Sequence, residues 1–361
     1  MNKKAVFPGQ YLQGAGVINE INSLINLFGS KGMILGSKSV KNYIIPEFMS
    51  NEISESLHFD LFRGECCEIE LARVADVIKK KDIDVIIGMG GGKVIDTAKI
   101  SADRAGLPVI IVPTIASTDA PCSGCAVTYT PSGVFEAVHY QKKNPAAVVV
   151  DLNIIADAPV RFLVAGMGDA LATWFEARSC EKSKSVNECG GLSTLAGLNL
   201  AKLCYDTLLI YGSMAKTANK QKMISPSLEY ITEANILLSG IGFESSGLAS
   251  AHAVHNGLTA LEETHAFYHG EKVAFGVLTG LHLTGESQDE INKVYSFCES
   301  IGLPTTFADI GITNESRNNL MKAALKASEK GSSIHHESCS ITPEKVLNAM
   351  FAADSYGISR K

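Results

Sequence analysis

The chain has 361 residues, 46% of them hydrophobic and 19% charged, with a net charge of −6 at pH 7. This is the profile of a folded soluble enzyme long enough for two domains, and without a basic run it excludes nucleic acid as an expected partner. No apolar core of signal-peptide length opens the sequence, and no uncharged apolar run reaches the roughly 18 residues of a membrane span. Nine scattered cysteines form no disulfide framework, so the expected compartment is the reducing cytoplasm.

In residues 1–160 short apolar runs alternate with amphipathic segments. Residues 32–36 (GMILG), 59–62 (FDLF), 84–90 (DVIIGMG), 107–114 (LPVIIVPT) and 146–151 (AAVVVD) read as strands. The central ones are almost continuously apolar, as strands covered on both faces of a parallel sheet must be. Between them, residues 68–82 set Ile69, Leu71, Val74 and Val77 on one helical stripe and end on three lysines, which suit the negative pole of a helix. Strand and helix in alternation predict a doubly wound α/β domain with a mostly parallel, dinucleotide-binding sheet.

The sharpest feature of this half is Gly88 to Lys99, GMGGGKVIDTAK. A buried strand, a glycine turn and a helix start present free backbone N–H groups to a phosphate. Gly90, Gly91 and Gly92, followed by Lys93, Val94, Ile95 and Asp96, are the candidate pyrophosphate site; a purely structural tight turn is the plainer alternative. A Walker A loop would need Gly at 87 and Ser or Thr at 94, where Ile87 and Val94 stand. The next loop, VPTIASTDAP (112–121), follows a strand end and should line the same crevice. Thr114, Ser117 and Thr118 offer hydroxyls there, and Asp119 offers a carboxylate for a polyol hydroxyl or a cap for the following segment. Residues 125–140 alternate around Pro131-Ser-Gly133 and predict a hairpin at the sheet edge. Cys122 and Cys125 form a lone C-x-x-C with no histidine close by, which reads as packing rather than zinc binding.

From about residue 155 no strand pattern follows. Helices are expected over 162–179, 190–212, 228–238, 245–262, 270–284, 288–302, 316–328 and 343–354, which divides the chain into an α/β domain, 1–158, and an all-α domain, 159–361. Residues 329–341 read as a surface loop with His335 and His336 solvated. Four of the nine histidines, His252, His255, His265 and His269, gather within residues 247–276. His252 and His255 share one helix face, and His269 precedes Gly-Glu-Lys, where a second helix can start. Imidazoles from two adjacent helices suit a divalent transition metal. Asp169, expected at the start of the helix GMGDALATWFEA, supplies a carboxylate or simply caps that helix. One Asp and two His leave an open fourth position, the pattern of a catalytic site.

GMGGGKVIDTAK, VPTIASTDAP, GMGDALATWFEA, GLASAHAVHNG and HGEKVAFG, in that order and spacing, resemble the glycerol dehydrogenase branch of the iron-containing (type III) alcohol dehydrogenase family. The resemblance runs over nearly the whole chain, from Pro8 to Gly357. It implies a dehydroquinate synthase-like architecture with the site in the cleft between the two halves. It implies Asp169, His252 and His269 as zinc ligands and Gly92 to Asp96 as the turn for the pyrophosphate of NAD. Thr114, Ile115, Ala116, Ser117, Ser123, Cys125 and Tyr129 would form the wall against the nicotinamide half, and Asp119 would touch the polyol. The implied reaction is oxidation of glycerol or a related vicinal diol; for glycerol the product is dihydroxyacetone. The metal acidifies a secondary hydroxyl and the nicotinamide takes the hydride. His255, one helical turn from His252, is the candidate proton relay and, with Asp119, the candidate catalytic pair. A homo-oligomer, commonly an octamer in this branch, is also implied.

Three positions depart from that branch. Where iron-using members carry a histidine four residues after the aspartate, this chain has Thr173, which favours three ligands and zinc. Where glycerol dehydrogenases usually show Gly-Asp-Lys after the first strand, this chain reads Gly36-Ser37-Lys38. A carboxylate there would accept from the adenosine ribose and repel a 2′-phosphate, so Ser37 weakens discrimination between NAD and NADP. Cys122 and Cys125 replace Thr and an aliphatic residue, which predicts thiol sensitivity. Two rival readings are an enzyme of the same fold on an anionic substrate (a glycerol-1-phosphate dehydrogenase or dehydroquinate synthase type) and a non-catalytic NAD-binding protein. The first needs several cations at the cleft, and the motif stretches supply Lys93 and Lys272.

Overall fold

The computed structural model describes residues 2–49 and 57–361. Among the described residues, eight strands occupy the first half: β1 (Tyr11–Gly14), β2 (Gly32–Gly36), β3 (Leu57–Leu61), β4 (Val85–Gly90), β5 (Val109–Pro113), β6 (Cys125–Tyr129), β7 (Phe135–Tyr140) and β8 (Ala147–Asp151). Six of them form a wholly parallel sheet in the order β1-β8-β5-β4-β2-β3. Alternate residues go to opposite faces. Ile34, Ile87, Ile110 and Val149 pack on one side with Ile18, Ile21 and Ile25. Met33, Ile86, Ile111 and Val148 pack on the other. Burial on both faces is why these strands carry no polar alternation.

Helices α1 (Ile21–Phe28), α2 (Ile45–Phe48), α3 (Glu68–Lys81) and α4 (Gly92–Ala105) join the strands. In α3 the buried stripe is Leu71, Val74 and Ile78, while Ile69 is 71% exposed. The expected stripe was therefore one residue too early at its start, and Ile78 completes it. β1, an edge strand of four half-buried residues, carries too weak a pattern to be read from sequence. The hairpin β6–β7 forms a separate two-stranded sheet instead of an edge of the main one.

After α5 (Leu152–Asp157) the chain is helical: α6 (Val160–Ser183), α7 (Leu195–Lys220), α8 (Pro226–Glu233), α9 (Ser239–Ser246), α10 (Ser250–Leu258), α11 (His269–Thr284), α12 (Gln288–Ile301), α13 (Arg317–Ala327) and α14 (Pro343–Ser359). Three elements differ from expectation. α6 starts at Val160, so Asp169 lies inside the helix and not at its N-terminus. Gly166 and Gly168, which look like a helix start in sequence, are packing positions instead. The helix expected over 228–238 continues through a π-helical turn, Ala234–Leu238, into α9. Gly247, at φ +105, then breaks the chain before the shorter α10.

The first residues lie against the helical half. Lys4 N–H donates to the Leu192 carbonyl, and Val6 N–H to Ser245 Oγ. The larger apolar cluster is also shared, running from Met33 and Ile86 in the sheet to Phe275 and Met350 in the helices.

Candidate metal and dinucleotide site

Strand order fixes one crevice. From β2 the chain goes outward to β3; from β4 it goes the other way, to β5. The switch point therefore lies between β2 and β4, where ligands of doubly wound sheets bind beyond the strand carboxyl ends. Register sets those ends level, Gly36 against Met89 and Gly90 against Pro113. Ser37, the glycine turn and Thr114 thus finish side by side. The N–H groups opening α4 have no intrahelical partners. A side chain on Gly92 would meet no atom within 4 Å, so the first turn of α4 faces open space, whereas at Gly88 it would strike Ala98 at 2.6 Å. The two glycines do different work: Gly88 lets α4 approach its strand, and Gly92 leaves the cradle that a pyrophosphate needs.

The other residues expected here divide by depth. Val94 and Ile95 are buried in the core and reach a ligand only through their backbone. Asp96 is buried, and burial pushes its carboxyl up to about 6. Lys93 Nζ sits 2.6 Å from Glu65 and 5.5 Å from the Tyr129 ring. Ile115 packs near Gly91, and the Ala116 carbonyl accepts from Asn235. Ser117 and Cys125 are half-buried. Ser123 is fully buried; Lys99 Nζ lies 3.3 Å from its Oγ, so that hydroxyl is turned inward. Ser37 is half-buried, with Oγ 2.8 Å from Ser39 Oγ. Burial pushes the Cys125 thiol up to about 12 and Cys122 higher still. Reactive thiolate is scarce at such values, so the expected thiol sensitivity meets a physical obstacle.

On the opposite wall, close helix packing builds the metal candidate. A Cβ on Gly166 would lie 1.9 Å from the Ala116 carbonyl oxygen, and one on Gly270 would lie 1.8 Å from that of Ala165. Only glycine lets α6 approach both the loop after β5 and the start of α11. That approach brings together Asp169 on α6, His252 on α10 and His269 at the head of α11. Each offers one ligand atom, and the three atoms lie within 4.8 Å of one another. Asp169 Oδ1 is 3.4 Å from His252 Nε2 and 3.1 Å from His269 Nε2. It is buried and accepts no hydrogen bond. A cation between these atoms would satisfy it, and one carboxylate with two imidazoles is a donor set suited to zinc and its neighbours.

Charge agrees with that geometry. Burial alone would raise the Asp169 carboxyl, but His269 and His252 outweigh it and hold it far below the usual range. Burial opposes charge on His252, yet Glu176 and Asp169 raise its pKa well above normal. Asp119, half-buried across the cleft, is pushed up to about 8 by burial and then by Asp169. Its backbone N–H donates to Asp169 Oδ2 at 3.3 Å, and Ser239 Oγ donates to its carboxylate at 2.7 Å. Thr173 is buried, with Oγ1 2.8 Å from Ser239 Oγ.

The remaining histidines separate. His255 is buried behind His269, with Nε2 3.0 Å from His269 Nδ1 and its own Nδ1 3.1 Å from Asn256 Oδ1. Burial and the charge of His269 lower its pKa well below normal. Both its nitrogens are engaged, so a relay through it would have to pass through His269. His265 is exposed, and His335 is exposed as expected. His336 is half-buried and contacts the Leu248 carbonyl at 2.7 Å, so it is tied to the approach to α10. Two residues at the site were given no role by the sequence reading. Ser239 gave no sequence signal. Glu176 did: it follows Asp169 by two helical turns, on the same face of α6. Its Oε2 lies 2.6 Å from His252 Nδ1.

A family model, iron-containing alcohol dehydrogenase, matches residues 8–152. A glycerol dehydrogenase of Thermotoga maritima is 50% identical over 99% of this chain and 98% of its own length. One from Citrobacter freundii is 45% identical over 97% and 96%. The crystal structure of a probable glycerol dehydrogenase from Sinorhizobium meliloti 1021, 42% identical, superposes with a TM-score of 0.93 over 99% of both chains. The chain belongs to the glycerol dehydrogenases of the iron-containing alcohol dehydrogenase family. It is therefore an oxidoreductase, and the fold expected from its motifs is the one observed. Among the described residues no helix is long and apolar enough to cross a membrane.

Proposed function

We propose that this chain oxidises glycerol, and related vicinal diols, with NAD as hydride acceptor and zinc as the resident metal. The observation that carries this reading is the orphaned Asp169 Oδ1, buried between two imidazole nitrogens. Asp169, His252 and His269 would hold the metal; when bound it polarises a substrate hydroxyl, and the nicotinamide supplies the hydride acceptor.

The chain's own residues account for the rest. Asp119 orients a second hydroxyl of the diol, and a carboxyl pushed up to about 8 is matched to accepting a proton near neutrality. Ser239 holds that carboxylate in place. His255 fixes His269 through Nδ1, which favours a positioning role for it over the proton relay. Gly90, Gly91, Gly92 and Lys93 take the pyrophosphate by backbone N–H groups, with Val94, Ile95 and Asp96 shaping the turn. Thr114, Ile115, Ala116, Ser117 and Cys125 line the nicotinamide wall, with Tyr129 at its rim and Ser123 bracing it from behind. Thr173 supports zinc over iron, because its hydroxyl is spent on Ser239 and offers no fourth ligand. Of the two lysines in the motif stretches, Lys93 is paired with Glu65 and Lys272 is buried, which disfavours an anionic substrate.

The same reading takes residues 1–158 as the NAD-binding half and 159–361 as the metal- and polyol-binding half. It places the chain in the cytoplasm, which free cysteines at all nine positions suit. Leu203, Ile210 and Met214 on α7, each more than half exposed, support assembly as a homo-oligomer, with the octamer the expected size. Activity should vanish on chelation and return with zinc more fully than with ferrous iron, followed by absorbance of the reduced cofactor with glycerol, 1,2-propanediol and 2,3-butanediol. Full turnover after complete chelation would remove the metal from the scheme.

A further inference from the structure

Glu176 is 1% exposed and lies on α6, yet its carboxylate serves another element altogether. Oε1 accepts from Ala249 N–H at 2.8 Å and His252 N–H at 3.0 Å, and Oε2 faces His252 Nδ1 at 2.6 Å. The N-cap of α10, Ala249, has no side chain able to accept, so the opening turn of α10 depends on carboxylates from elsewhere. Glu337 meets Ser250 N–H at 3.2 Å in the same way. Glu176 thus binds both the backbone and the ring of one residue, and it has an acceptor for each of the three donors.

We propose that Glu176 is a positioning residue that fixes the tautomer of His252: Nδ1 is kept as a donor to Oε2, so that Nε2 keeps its lone pair for the metal. This rests on the metal reading above and adds the residue that prepares the ligand. A ligating imidazole whose second nitrogen donates to a carboxylate is a stronger and better-aimed donor. The two imidazoles differ in this respect, since His269 leans on the neutral ring of His255 while His252 leans on a carboxylate.

The chemistry of glutamine gives a discriminating test. Glu176→Gln has one oxygen for two sets of donors. Serving the two backbone N–H groups keeps α10 capped but aims its NH2 at His252 Nδ1, which must then accept, leaving the proton on Nε2. Glu176→Ala removes the cap and lets the ring choose its tautomer. Zinc affinity measured by chelator competition should therefore fall in the order wild type, Glu176→Ala, Glu176→Gln. The alanine loss should be about 10- to 100-fold. The thermal midpoint of the metal-free proteins should follow a different order, with Glu176→Gln above Glu176→Ala.

A residue that only caps α10 would make alanine the worse variant on both measurements, and one that only adds charge would make the two variants equal in affinity. Either result overturns the proposal. Glu176→Gln binding zinc as tightly as wild type overturns it even where the alanine variant does not fold. A folded wild type that binds no zinc, in parallel with Asp169→Asn as the control, instead overturns the metal reading and this proposal with it.

Discussion

Asp96 shows how a single side chain can cost stability at a site. It is 8% exposed, and burial pushes its carboxyl up to about 6 from 3.8. The folded state therefore binds the proton more tightly than the unfolded state, and stability falls as pH rises from about 4 to about 6 and is level above. Asp96→Asn, which keeps an acceptor, should be more stable than wild type by about 2–3 kcal/mol at pH 7, with the difference shrinking toward zero near pH 4. Denaturant unfolding of the metal-free proteins across that range checks it; a pH-independent difference would mean that burial of the charge is not the cause. Ser37 is the residue to change for cofactor preference. Ser37→Asp should lower kcat/KM for NADP about tenfold or more while NAD is retained, because a carboxylate repels the 2′-phosphate and accepts from a free ribose hydroxyl. Equal effects on both cofactors would place Ser37 outside the adenosine site.

Helix contacts, more than individual side chains, make the candidate metal site. Gly270 stands where a Cβ would lie 1.8 Å from the Ala165 carbonyl oxygen and 2.9 Å from the Asp169 amide nitrogen. Gly270→Ala must push α11 from α6 and so move His269 from Asp169. The expected cost is about 1–3 kcal/mol of overpacking, accompanied by weaker zinc binding. Thermal unfolding and metal content of the purified variant measure the two effects, and a variant with native values in both would show that the helices can slide apart freely. Sequence pattern found α11 to within a residue of its start and put His252 on a helix, although the helix expected over 245–262 is the shorter α10. It expected a helix over 162–179 yet read Asp169 as standing at a helix start, because glycine in a sequence marks a helix end more often than a packing ridge. It also missed the π-helical turn that leads to Ser239, since a one-residue change of helical period leaves no mark in apolar spacing.

For the whole molecule, the two halves share one apolar cluster, and the chain's first residues lie on the helical half. Cutting after residue 158 would uncover Ala116 and Cys122, which pack against α6 and α9, and Ile155 and Ala156, whose carbonyls accept from Asn219 on α7. The isolated fragment 1–158 should therefore bind a hydrophobic dye and associate, while the full chain should unfold in a single transition. A monomeric fragment with a cooperative melt would show that the halves are independent. The sheet's order supplies the crevice, and the helices supply the candidate metal donors Asp169, His252 and His269.

The sequence by itself determined the parallel sheet, through apolar runs that both faces require, and the glycine turn, through residues that only close backbone approach explains. It also named the candidate donors, Asp169, His252 and His269, by their chemistry and by resemblance. Tertiary structure alone decided that Asp169 Oδ1 is left without a hydrogen bond between two imidazoles. It decided that His255 sits behind His269, that Ser123 turns inward, and that Glu176 reaches from α6 to His252. Those are contacts between residues far apart in the chain. Local pattern carries the periodicity of one element at a time, whereas the direction of a buried polar group is set by whichever neighbour from another element satisfies it.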